Sequence, residues 1–197
     1  SSFEAESAVL LHLVALIRPD VPVLFIETDR HFRETLEYRD QLIDLLGLEL
    51  IVVEPNAKEL SREDPVGNLS QRDPNACCLL RKSFPLQDAL SGYDAWISGR
   101  KRFQAASRST IPLVERDGSK IKINPLALWD KDDLNAYFAK HDLPRHPLEA
   151  QGYPSIGCAP CTNKVEPGAD PRSGRWSTFQ GKTECGIHLG PDGKFTR

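Results

Sequence analysis

Four of the chain's five cysteines fall in two pairs, Cys77-Cys78 and Cys158-Ala159-Pro160-Cys161. If both pairs serve one centre, the fold must carry two stretches from distant parts of the sequence to a single point. A Cys-x-x-Cys turn aims both thiolates at one centre. Adjacent cysteines suit a single zinc ion less well, because neighbouring side chains on a helix diverge by about 100°. A cubane of four irons offers each diverging thiolate a different metal, so the pattern favours an iron–sulfur cluster over zinc. An odd number of cysteines is poor material for a disulfide framework. The plain alternative, free cysteines acting as small buried hydrophobes, accounts for Cys77-Cys78 alone but not for its pairing with Cys-x-x-Cys. The fifth cysteine stands by itself in Thr183-Glu184-Cys185-Gly186-Ile187-His188 and reads as a reactive thiol. Lys82 lies one helical turn beyond Cys78, on the same face. A cluster held by four thiolates calls for such a cation, whereas a lysine without that context is simply solvated.

Composition narrows the class. A chain of 197 residues, 40% hydrophobic and 27% charged, has material for one real core, with an appended segment at most. A net charge of −3 argues against a general nucleic-acid or membrane-surface binder. No apolar run is long enough to span a bilayer, and no secretory leader is visible. Free thiols in this pattern suit a reducing cytoplasm.

Along the chain, Val9, Leu10, Leu13, Val14 and Ile17 recur at helical spacing. The polar start before them is either a helix cap or an anion-binding loop. Residues 21–26 and 48–53 read as buried strands, separated by an amphipathic helix over 33–46 that Gly47 stops. Residues 55–75 read mainly as connector. Asp73-Pro74 looks like an N-cap with proline at the first helical position, opening a helix to about Leu90 that carries both cysteines and Lys82. A short strand follows at 95–98. The cation-rich run from Gly99 to Arg108 sits at that strand's carboxyl end, where α/β sheets place anionic ligands; a solvated face is the alternative. Asp117-Gly118 signals a hairpin, and residues 130–141 a last helix with Leu134, Tyr137 and Phe138 inward. The alternation of strands and helices predicts an α/β fold. Its boundary is expected at residue 143, with periodicity lost in the proline- and glycine-rich segment 144–197.

Taken together, C-C-x-x-R-K-x-x-P-L from Cys77, G-R-K-R-x-Q from Gly99, G-C-x-P-C-T from Gly157, G-R-W from Gly174 and E-C-G-I-H from Glu184 resemble the cluster-bearing, adenylyl-sulfate-reducing branch of the phosphoadenylyl-sulfate reductase family. The likeness covers nearly the whole chain in the family's order. It implies a doubly wound, mostly parallel sheet of the adenine-nucleotide alpha-hydrolase-like type with an irregular C-terminal tail. It also implies that Cys77, Cys78, Cys158 and Cys161 hold a 4Fe-4S cluster and that Cys185 is the nucleophile. Ser1 and Ser2 fall in the family's phosphate loop, in which Glu4 stands where the family has glycine. Lys82, Arg102, Arg108, Arg172 and Arg175 match basic positions around the phosphosulfate, and Thr28 and Gly99 fall near the adenosine. His188, close to Cys185, joins the substrate group.

The activity so implied is reduction of adenylyl sulfate to sulfite and AMP through a Cys–S-sulfonate, with thioredoxin or a similar dithiol as electron donor. A homo-oligomer is left open. Three rival readings differ in class or substrate: the same chemistry on phosphoadenylyl sulfate, a non-catalytic iron–sulfur or zinc module that senses redox state, and an ATP-pyrophosphatase relative that adenylates its substrate, which Glu4 in the phosphate loop speaks against.

Overall fold

The structure, a computed structural model, describes residues 1–179, 181, 182 and 184–187. Helix α1 (Ser7–Ile17), strand β1 (Val23–Ile26), helix α2 (Arg33–Leu46) and strand β2 (Leu50–Val53) come first. β1 and β2 pair in parallel, Val23 opposite Leu50 and Ile26 opposite Val53. α2 buries Thr35, Tyr38 and Leu42, the stripe expected of an amphipathic helix. It ends on Gly47 in the left-handed region (φ 61°), where a side chain would be strained. Phe3, Val9, Phe25, Tyr38, Leu42, Leu126, Leu134 and Phe138 form the main core.

Helices α3 (Ala57–Glu63) and α4 (Leu69–Arg72) follow, so residues 55–75 are not mainly connector. The Asn56 side chain caps α3 by accepting from the amides of Lys58 and Glu59. α3 buries no residue, which is why it shows no apolar period. The helix expected from Asn75 to Leu90 has three parts: α5 (Pro74–Cys78), a π-helical turn over Leu79–Ser83, and α6 (Phe84–Leu90). Pro85 has no N–H to give and its ring crowds the carbonyl four residues back; a widened turn relieves that clash. Asp73 caps α5 as expected, accepting from Asn75 and Ala76.

Strands β3 (Ala95–Ile97), β4 (Val114–Asp117) and β5 (Lys120–Ile123) form a second sheet in the order β3-β5-β4. β3 runs parallel to β5, and β4 pairs antiparallel with it through Gly118. Helix α7 (Lys131–Lys140) opens on a capping box between Asp130 and Asp133. The architecture is α/β, and two of its three strand pairings are parallel. One expectation needs correcting: residues 48–53 are not a fully buried strand, since Ile51 and Val52 are 37% and 48% exposed. β2 pairs only with β1 among the described residues, leaving one side open.

After α7 the chain returns to α2. The Tyr38 hydroxyl donates to the Pro144 carbonyl at 2.7 Å, and His146 Nε2 meets Thr35 Oγ1 at 3.0 Å. Leu148 and Ile156 then pack with Ala5 in a small second core. These anchors bring the Cys-x-x-Cys turn to the carboxyl end of β1. No described helix is long and apolar enough to cross a membrane.

Candidate active site and metal centre

Cys77 and Cys78 close α5 just before the π turn, and Cys158 and Cys161 flank a 3-10 turn. All four line one cavity, of about 280 Å³ of open space, together with Arg30, Ser70, Arg81, Lys82 and Pro160. Among the described residues, no set of three or more His, Cys, Asp or Glu is arranged to hold a single metal ion. Burial pushes the Cys77 and Cys78 thiols up to about 11 and 12, so as free thiols they are protonated at neutral pH. Burial also raises Cys161, with Cys158 adding to it. Such thiols ionise readily only when a metal takes the place of the proton.

The wall behind the cavity is an ion network. Arg81 is 3% exposed and lies in the π turn. Its Nη2 donates to Asp64 Oδ2 at 2.9 Å; its Nη1 donates to the Thr28 carbonyl at 2.8 Å and to Asp29 at 3.2 Å. Asp64 is itself buried and accepts from the Leu69 amide, tying α4 to the same point. Thr28 turns its hydroxyl to Cys158 Sγ at 3.5 Å. The Ala159 amide donates to the Arg30 carbonyl at 2.7 Å, fixing the second cysteine pair beside β1. The Trp176 amide donates to the Cys161 carbonyl at 3.1 Å. Arg175 stacks on the Trp176 ring at 4.5 Å, and its Nη1 donates to the Ile156 carbonyl. A Cβ at Gly157 would collide with that guanidinium, so glycine leaves the Arg175 head the space it occupies. Among the described residues, the buried donors Arg81 Nε at this cavity and Arg175 Nε and Trp176 Nε1 behind the Cys-x-x-Cys turn have no hydrogen-bond partner. Sulfur acceptors in the cavity would give such donors a use.

Cys185 also lies near Lys82 and Cys78. Burial works against the lysine's charge, but Cys158, Cys185 and Cys78 in their thiolate forms, with Glu4, raise its ammonium above the ordinary range. One cation therefore faces both the quartet and the lone thiol. The tail around Cys185 is fastened by polar contacts. Lys182 reaches Asn75 Oδ1 at 2.5 Å, and Ser83 donates to the Gly186 carbonyl at 3.1 Å. Glu184 pairs with Arg108 at 2.6 Å and with Arg172 at 3.5 Å. At the start of α1, Glu6 accepts from Lys101 at 2.8 Å and from Gln104 at 2.7 Å.

A family model for the phosphoadenosine phosphosulfate reductase domain matches residues 1–164. The chain belongs to the phosphoadenosine phosphosulfate reductase family. It is 53% identical over 190 residues to a protein of Chelativorans sp. (strain BNC1) named adenosine 5'-phosphosulfate reductase, covering 96% of this chain and 77% of that one. A protein of the same name from Mesorhizobium japonicum is 52% identical, covering 96% and 74%. The crystal structure of phosphoadenylyl-sulfate reductase from Candida auris, a phosphate complex, superposes with a TM-score of 0.71 at 26% identity, over 84% of this chain and 81% of that one.

Within this reductase fold, the residues expected to meet substrate divide into groups. Arg108, Arg172 and Lys82 face the tail that holds Cys185. Ser1 and Ser2 are exposed; Ser1 Oγ accepts from the Phe3 amide within a loop that places Phe3 at φ 49°. Gly99 follows β3 and lies against Leu10. Others stand elsewhere. Thr28 is completely buried and belongs to the cysteine cavity rather than to an open nucleotide surface. Arg102 is exposed, with its Nε donating to the Ile111 carbonyl. Arg175 is buried behind the Cys-x-x-Cys turn. His188 lies outside the described residues. Sequence reasoning missed Asp64, Arg81, Trp176 and Glu184 as site-building residues. Arg81, Trp176 and Glu184 sit inside quoted motifs, whereas Asp64 carries no local signal.

Proposed function

We propose that this chain reduces adenylyl sulfate to sulfite and AMP, as the substrate in its relatives' names suggests. The observation that carries the reading is the position of Cys185. It is the one thiol outside the quartet, and it lies beside Lys82 and next to the residue held by Arg108 and Arg172. Sulfate itself is a poor electrophile, but adenylation gives it a good leaving group. The Cys185 thiolate attacks the sulfur, the S–O bond to AMP breaks, and Cys185–S–SO₃⁻ and AMP result. Lys82 stabilises the thiolate. Arg108 and Arg172 bind the phosphosulfate and offset charge developing on the departing phosphate, the electrostatic role that dominates such catalysis. A dithiol such as thioredoxin then attacks the Cys185 sulfur, expels sulfite, and closes its own disulfide to return Cys185 as a thiol. The setting for this chemistry is the reducing cytoplasm, where both dithiol and free cysteines persist.

Cys77, Cys78, Cys158 and Cys161 would hold a 4Fe-4S cluster. Their shared cavity and the cations Arg30, Arg81 and Lys82 around it fit a multi-iron anion. When bound, the cluster supplies charge and geometry, since the dithiol already provides both electrons. A non-catalytic sensing module gives Cys185 and its arginines no role. The test is sulfite release from adenylyl sulfate by the anaerobically purified protein with thioredoxin. Turnover that is lost in Cys185→Ser supports the reading; a Cys185→Ser variant that still makes sulfite refutes it. Running phosphoadenylyl sulfate alongside separates the two nucleotides.

A further inference from the structure

Directly before the proposed nucleophile stands a carboxylate that the chemistry above does not use. Arg108 grips Glu184 with a two-pronged fork, Nε to Oε1 at 2.8 Å and Nη2 to Oε2 at 2.6 Å. Arg172 Nη2 adds a contact at 3.5 Å, and Ser107 Oγ another at 3.5 Å. The Glu184 side chain is only 13% exposed. Burial alone would raise its carboxyl, but the Arg108 hydrogen bonds and the charges of Arg108 and Arg172 hold it below the usual carboxylate range. It is therefore an anion in a pocket built of two guanidiniums.

Those are the guanidiniums assigned above to the phosphosulfate, and one fork cannot hold two anions at once. We propose that Glu184 is an internal ligand that sets the charge specificity of the site: it fills the Arg108–Arg172 pocket when no nucleotide is bound, and only a more highly charged group displaces it. The inference rests on the proposed function for the identity of the displacing group. Glu184 brings one carboxylate charge to these two cations. A phosphosulfate, or the phosphate of AMP, carries about two negative charges and more acceptor oxygens, so it competes on favourable terms. A neutral or singly charged analogue lacks that advantage. Lys182 and Gly186 are tied down on either side of Glu184 and Cys185, to Asn75 and to the buried Ser83. Displacing the carboxylate between these two anchors therefore moves Cys185. Once the sulfo group has passed to Cys185, Glu184 competes with AMP for the same pocket and speeds its departure.

The test uses the full-length holoprotein under anaerobic conditions, as wild type, Glu184→Gln and Glu184→Asp. AMP affinity is measured by calorimetry, and iodoacetamide labelling of the Cys185 peptide is followed by mass spectrometry with and without AMP. Glu184→Gln is expected to bind AMP about tenfold more tightly, as removal of one charged competitor implies. Its Cys185 labelling rate without AMP should already match that of AMP-loaded wild type. Glu184→Asp, which keeps the charge, should bind AMP within about threefold of wild type. If AMP binds wild type but binds Glu184→Gln no more tightly, the inference is wrong and the proposed function stands. If wild type binds neither AMP nor adenylyl sulfate, the proposed function falls and takes this inference with it.

Discussion

The two thiol regions of this molecule are held by different physics. The quartet sits in a largely buried pocket: Cys77, Cys78 and Cys161 are buried, and behind them Arg81 and Asp64 form an ion pair of which almost nothing is exposed. Buried charges of that kind fix geometry, because breaking them strands a charge away from water. The Cys185 region is fastened instead by partly exposed ion pairs and single hydrogen bonds, Glu184 to Arg108 and Arg172, Lys182 to Asn75, Ser83 to Gly186. Glu184 is less deeply buried than Asp64, 13% exposed against 1%, so its pairs lose less on breaking. The lesson is a division between a region built to stay and a region built to let go, with Lys82 facing both.

Substitutions can break that division or sharpen it. The largest effect is expected from Cys185→Ser: sulfite formation lost entirely, with iron content and unfolding midpoint as in wild type. A loss of iron in that variant would mean that the two regions are not separate. Next comes Asp64→Asn, which leaves Arg81 buried without its main partner. Denaturant unfolding should show a loss on the order of 3 kcal/mol, together with reduced iron, while Cys185 labelling in whatever folds stays normal.

A third test concerns the anchor that brings the Cys-x-x-Cys turn into place. Burial lowers His146 from its ordinary 6.5 to about 4, with Glu34 opposing weakly. Between those values the unfolded chain binds a proton that the folded one refuses. Stability is therefore complete above pH 6.5 and lost as pH falls towards 4, by on the order of 3 kcal/mol. Urea midpoints at pH 7 and pH 4.5 check this, and His146→Gln should flatten the difference. The smallest expected effect is that of Arg108→Gln, which weakens AMP binding about tenfold, one charged contact, and lowers stability by about 1 kcal/mol because Glu184 keeps only Arg172 and Ser107.

How far the sequence foretold these arrangements depended on how local each signal was. Gly47 ends α2, Asp73-Pro74 opens α5 and Asp117-Gly118 turns the β4–β5 hairpin, each from chemistry contained in two or three residues. The stripe of Thr35, Tyr38 and Leu42 repeats within one helix. By contrast, α3 buries nothing and so leaves no periodic trace. The π turn arises from Pro85, whose effect falls on residues before it. Asp64 looks like any loop aspartate until Arg81 arrives from the next helices. Arg102 and Arg175 read as substrate cations because a basic residue in a motif does not say which way it points; here one meets the Ile111 carbonyl and the other fills the space beside Gly157. Glu184 was visible beside Cys185, but its partners lie on a distant loop and in the tail, beyond the reach of local reading.

The most direct measurement is a single incubation of the anaerobic protein with adenylyl sulfate and no reductant, followed by peptide mass spectrometry. The account predicts one sulfo group, on the peptide that contains Cys185, released by added thioredoxin, with Cys77, Cys78, Cys158 and Cys161 untouched. A sulfo group on any of those four, or none on Cys185, would contradict it.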